Sequence, residues 1–153
     1  LYESPNEEKS LPDVVNVMMT DNQPMAEYLM ESFIGKLPAL AGLPATSAVQ
    51  YVEITESRPT GDPRSRYTEA VKAEGLDVEL IWDGLGAPTA LELPAELTGA
   101  KENELFTVLV ESRKPQIIVN GTSLKGEPFE RVQAGIKTTT AFLYFSETWI
   151  TPG

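Results

Sequence analysis

Three groups of residues have side chains and spacing that could do chemistry. Arg58, Arg64 and Arg66 are the one local concentration of arginine in an acidic chain. Asp62-Pro63 reads as the N-cap and first residue of a helix running to about Glu74, with Gly75 as its left-handed stop. The arginines then sit on a strand-to-helix loop, where amides at a helix N-terminus attract anions. That arrangement would make a carboxylate or phosphate pocket. Against it, Asp62 as N-cap already occupies those amides, no Gly-rich phosphate cradle is present, and neighbouring acids suffice to pair the arginines.

The second group is Asp77, Glu79 and Asp83 around the third strand. Two carboxylates can do general acid/base work, and three can hold Ca²⁺ or Mg²⁺. Acids on one strand face with Trp82 interrupting them are also what a solvated strand looks like, and no metal or cofactor is assigned to them. The third group is Lys137 with Thr138, Thr139 and Thr140. Thr138 and Thr140 share a strand face and, with Trp149, are the candidate contacts for a protein partner. Thr is equally at home on the wet side of any sheet. Tyr51, Trp82, Tyr144 and Trp149 are aromatic anchors or core-edge residues.

The chain lacks both histidine and cysteine. Ser-His-Asp and Cys-His catalysis, disulfides and His/Cys zinc sites cannot be built from it. This absence weighs toward a non-catalytic role. Twelve Lys and Arg stand against 23 Asp and Glu, a formal charge of −11 over 153 residues. Such a field repels nucleic-acid backbones and anionic lipid surfaces, so a nucleic-acid partner is not expected. The acidity favours solubility or a partner with a basic surface. No apolar run approaches the roughly 20 residues of a membrane-spanning helix.

The elements that must position these groups follow from periodicity. Residues 1–12 read as a flexible tether and 13–153 as a single domain. A tether leading into a cysteine-free domain suits an exported or surface-anchored protein slightly better than a cytoplasmic one. Residues 13–19 read as a strand. Asp21 or Asn22 then caps a helix whose apolar stripe is Ala26, Leu29, Met30, Phe33, Ile34 and Leu37. Further strands are expected over 49–56, 78–82, 105–111, 116–119 and 136–145, with Ser57-Arg58-Pro59-Thr60-Gly61 breaking the first of these. Leu91 and Leu93 suggest a short strand, 94–97 one helical turn, and 129–134 a short helix. Asn120-Gly121 is a hairpin turn before it is a glycosylation site. The fold class expected is α+β: a largely antiparallel sheet of five to seven strands with two main helices packed on one face.

Three functions fit. The first is a non-catalytic binding or assembly module, engaging another protein or a second copy of itself through the edge of its C-terminal sheet or its acidic surface. The second is a carboxylate-based hydrolase or lyase. The third is an acidic inhibitor or immunity-type protein masking a basic site.

Overall fold

Alternation dominates the chain once the first helix is passed, and strands result. The computed structural model describes residues 16–37, 49–133 and 136–151. The tether expected over 1–12 and the connection 38–47 lie outside the described residues. The architecture is α+β and mostly sheet. In order, the elements are β1 (Val17–Thr20), α1 (Gln23–Ser32), a 3-10 turn (Ile34–Lys36), β2 (Gln50–Asp62), β3 (Arg66–Ala73), β4 (Leu76–Asp83), β5 (Leu85–Leu93), α2 (Ala95–Thr98), β6 (Glu104–Ser112), β7 (Gln116–Val119), β8 (Thr122–Ser123), β9 (Glu130–Gln133), β10 (Ile136–Thr139) and β11 (Phe142–Ile150).

The six-stranded sheet runs β1-β2-β3-β4-β7-β8, a three-stranded sheet runs β11-β6-β5, and β9 pairs with β10. The large sheet is mixed, because β1 lies parallel to β2 while its other pairs are antiparallel. Among the described residues no helix is long and apolar enough to cross a membrane.

Helix α1 forms as its sequence dictates. The Asn22 side chain accepts a hydrogen bond from the Met25 amide at 3.2 Å, and Pro24 sits in the first turn, where its missing N–H costs nothing. Ala26 and Met30, four residues apart, are the buried stripe. The α-helix stops at Ser32, short of the stripe's end at Leu37. A Cβ on Gly35 would lie 2.9 Å from the Met30 carbonyl oxygen, so glycine lets the chain tighten into the 3-10 turn.

The second helix is not there. Residues 62–75 form the turn of one hairpin, all of β3 and the turn of the next. Asp62 does cap a turn, accepting from the Arg64 amide at 2.9 Å, and its carbonyl accepts from Ser65 at 3.0 Å. The same Asx geometry starts turns and helices alike. Residues 66–73 then alternate, and bonding to β2 and β4 on both sides takes up the backbone groups a helix would have used. Likewise the helix expected over 129–134 is replaced by β9 at Glu130–Gln133, residue 134 lying outside the described residues. The strand expected over 136–145 is two strands. Thr140 donates its amide to the Phe129 carbonyl at 3.0 Å, closing the small hairpin, and Ala141 accepts from the Ser112 amide at 3.0 Å, joining the other sheet.

The two larger sheets share one bent ribbon. β4 pairs with β7 and β5 with β6, and the ladder continues through the bend: Lys114 donates to the Asp83 carbonyl at 3.0 Å and Arg113 to Gly84 at 3.4 Å. Gly84 takes φ 63° there, a conformation that favours glycine. Side chains tie the corner: Ser112 Oγ donates to the Asp83 carbonyl at 2.9 Å, and Trp82 Nε1 to the Phe142 carbonyl at 2.7 Å.

The core is Leu91, Leu93, Leu105, Leu109 and Phe142, with Leu37 and Trp149 packed against it. Register places Leu93, Leu105 and Trp149 side by side on one face of the three-stranded sheet. Phe33 stacks on Trp149 with ring centroids 4.7 Å apart, so the end of the helical segment covers that face. Leu109→Ala should cost about 2–5 kcal/mol in a urea melt, from lost burial and the cavity left behind. Trp82→Phe, which keeps the bulk and loses the Phe142 bond, should cost about 1 kcal/mol.

Candidate functional site

Strands β2, β3 and β4 bring together two of the three groups singled out in the sequence. Their register sets residues in rows across one face: Glu56–Lys72–Asp77, Arg58–Ala70–Glu79, Thr60–Thr68–Ile81 and Asp62–Arg66–Asp83. Acid, base and acid alternate in the first and last rows. Lys72 lies 3.6 Å from Glu56, and Arg66 lies 3.8 Å from Asp83, all four side chains well exposed. Exposed pairs of this kind contribute at most about 1 kcal/mol each.

Asp77, Glu79 and Asp83 therefore share a strand face without converging. Strand rise separates neighbouring same-face positions by about 6.7 Å, and Glu79 from Asp83 by about 13 Å. Asp83 already faces Arg66, and its Oδ1 accepts from the Gly84 amide at 2.6 Å. Among the described residues no group of three His, Cys, Asp or Glu is placed to hold a metal ion. Arg58, Arg64 and Arg66 share a hairpin but not a helix terminus, so the helix-dipole basis of an anion pocket is gone. Among the described residues, neither Arg58 nor Arg64 has a carboxylate within ion-pair distance.

Thr138, Thr140 and Trp149 hold structure. Thr138 is buried and donates to Glu111 Oε1 at 3.2 Å. Thr140 Oγ1 accepts from the Phe129 amide at 3.1 Å, and Trp149 lies against Phe33. Thr138 thus ties the β9–β10 hairpin to β6, and Thr140 closes the hairpin's open end. On its outer side, Lys137 reaches Glu130 at 2.8 Å. The hydrogen bond to Glu130, then its charge, holds the Lys137 pKa above the usual lysine value. A cavity of about 40 Å³ lies beneath the hairpin, between Leu91, Leu109, Glu111 and Thr138. That is room for one to a few waters. An open cleft of about 280 Å³ lies between β1 and α1, lined by Met18, Met19, Met25, Leu29 and Ile34.

The feature that the sequence reading missed is the edge of β2. Among the described residues β1 pairs with Gln50–Glu53 alone, while β2 continues to Asp62, and every residue from Thr55 to Asp62 is exposed. The two-residue turn Glu74-Gly75 makes Ala73 and Leu76 a hydrogen-bonded pair. Odd-numbered residues of β3 thus bond to β4, and even-numbered ones to β2. On β2, residues 56, 58, 60 and 62 consequently bond to β3, while Ser57, Pro59 and Gly61 turn their backbone groups outward. Pro59, which has no N–H to give, occupies the position where edge strands tolerate proline. Proline in a strand-like run flanked by alternating charges was the available signal. It reads as a strand break when the neighbouring residues are taken as a loop.

No protein-family model matches the chain, and comparison with curated proteins and with solved structures returns no match. The spread of the carboxylates has a measurable consequence. Asp77→Asn and Glu79→Gln should each change unfolding free energy by no more than about 0.5 kcal/mol, as for ordinary surface positions. A much larger change in a chemical-denaturation experiment would mean that they are coupled in a site.

Proposed function

We infer that this chain is a non-catalytic binding or assembly module that takes a protein strand along the outer edge of β2. One observation carries the reading: eight consecutive strand residues, Thr55–Asp62, are exposed, and one side of their backbone has no strand beside it among the described residues. Such an edge supplies main-chain donors and acceptors in a row, and an extended segment from a partner adds to it as one more strand. The side chains flanking the edge, Glu56, Arg58, Thr60 and Asp62, supply the selectivity that backbone pairing lacks.

The alternative of a carboxylate enzyme is less well supported, because Asp77, Glu79 and Asp83 stand apart along β4 instead of meeting in a cleft. An inhibitor role rests on net charge alone, and on the β2–β4 face that charge is partly offset by Lys72, Arg58 and Arg66.

Hydrogen exchange tests the reading. In the monomeric chain, diluted until the β2 edge is unpaired, the outward amides of Ser57 and Gly61 should exchange far faster than those of Arg58 and Thr60, which bond to β3. With the native partner bound, the outward pair should slow by roughly tenfold or more, while α1 and the β9–β10 hairpin keep their rates. Protection confined to α1 or to β9–β10 would overturn the assignment.

A further inference from the structure

We propose that the β2 edge is built to pair with itself, joining two copies of this chain antiparallel about a two-fold axis at Thr60. The inference rests on the edge-binding reading and names the partner. On β2 the charges run Glu56 negative, Arg58 positive, Thr60 neutral and Asp62 negative, with Arg64 positive in the turn beyond. An antiparallel strand reverses that order. Centred on Thr60, each Arg58 falls opposite the Asp62 of the second copy, each Glu56 opposite its Arg64, and Thr60 meets Thr60. The two Arg58–Asp62 pairings are cross-strand pairs of opposite sign, the favourable arrangement, and the other two bring the turn residue Arg64 of each copy toward the Glu56 of its partner.

Other registers fail for reasons visible on the strand. Outward residues must pair with outward residues, so the axis moves in whole-residue steps along 57–62. Centred on Arg58 or on Asp62, like charges meet at the axis itself. Centred on Pro59, two prolines face each other where hydrogen bonds should form, and Glu56 meets Asp62. Centred on Gly61, Arg58 meets Arg64. Centred on Ser57, Glu56 meets Arg58 favourably, but residues 61 and 62 would then lie against 52 and 53, where β1 is already paired.

The Thr60 register avoids that collision. The turn at 63–65 of the second copy comes to lie beside 55–57, just past the end of β1 at Thr20. The Gly61 amide of each copy then reaches the Pro59 carbonyl of the other. Arg58 and Arg64, which have no ion pair among the described residues, gain one each.

The absence of cysteine makes a clean test. In the proposed register, position 60 of one copy faces position 60 of the other in a non-hydrogen-bonded pair, with Cα atoms about 4.5 Å apart, within disulfide reach. Thr60→Cys should form a disulfide-linked dimer under mild oxidation. Glu56→Cys, whose copies would lie about 26 Å apart, should not. By sedimentation, Arg58→Glu should weaken self-association of the otherwise unaltered chain by at least roughly tenfold, about 1.4 kcal/mol. Arg64→Glu should also weaken it, and adding Glu56→Lys to Arg64→Glu should restore it.

A wild-type chain that sediments as a monomer at every concentration would overturn the self-pairing. So would equal cross-linking at positions 56 and 60. If Ser57 and Gly61 are nonetheless protected by a different protein, the edge-binding reading stands without the dimer. A dimer that leaves those two amides exchanging freely would overturn both.

Discussion

Two neighbouring turns hold the large sheet to one register, and much of the molecule's geometry follows from them. Gly75, at φ 71°, lets β3 and β4 connect through two residues, and Asn120-Gly121, at φ 49° and 75°, does the same for β7 and β8. The turns are bonded to each other. Asn120 donates its backbone amide to the Asp77 carbonyl at 2.8 Å and accepts the Asp77 amide on its side-chain oxygen at 2.8 Å. Its side-chain amide donates to the Gly75 carbonyl at 3.3 Å. A one-residue slip at either turn would reverse which strand faces which side. With both fixed, the inward or outward direction of every backbone group from β2 to β8 is fixed, including the edge at Ser57, Pro59 and Gly61.

The corner at Gly84 carries that order into the second sheet. Because β4–β5 and β6–β7 are two halves of one ribbon, the three-stranded sheet inherits its register from the six-stranded one. Pro88, opposite Val110, again occupies a position whose missing N–H points away from β6. Val110 therefore directs its backbone toward β11, where it pairs with Leu143. Phe142, one residue earlier, turns its carbonyl the other way, and Trp82 Nε1 donates to it. The bond that joins the sheets is a consequence of strand parity set some distance away.

What the sequence revealed divides along physical lines. Helix α1 was legible because its cap, its first-turn proline and a 3.6-residue stripe agree. The hairpin at Asn120-Gly121 and the strand β6 were legible because their signals are local and unambiguous. Asp62-Pro63 misled because a side-chain oxygen accepting a nearby amide is the first step of a turn and of a helix alike. What decides between them is the presence of β2 and β4 on either side of β3, which no window of neighbouring residues contains. The sequence places Asp77 and Glu79 on one strand face and Asp83 only at the strand's end, whereas Asp83 is the last residue of β4 on that same face, and the cross-strand partners Lys72 and Arg66 come from a segment that reads as a helix. The pairing of charges by rows was therefore invisible.

Pro59 brings the two levels together. A long exposed edge invites indiscriminate pairing, and proteins blunt such edges with proline and charge. β2 carries both: one proline at the middle outward position, and charged residues on the adjoining face at 56, 58 and 62. A uniform edge would accept a strand in many registers at nearly equal free energy. Removing one donor and alternating the charges raises most registers and leaves few low, so the features that protect the edge from aggregation would also make strand addition there, as proposed, selective. Selectivity of this kind needs no cavity, no metal and no perturbed acid. It is within the chemical means of a chain that contains neither imidazole nor thiol.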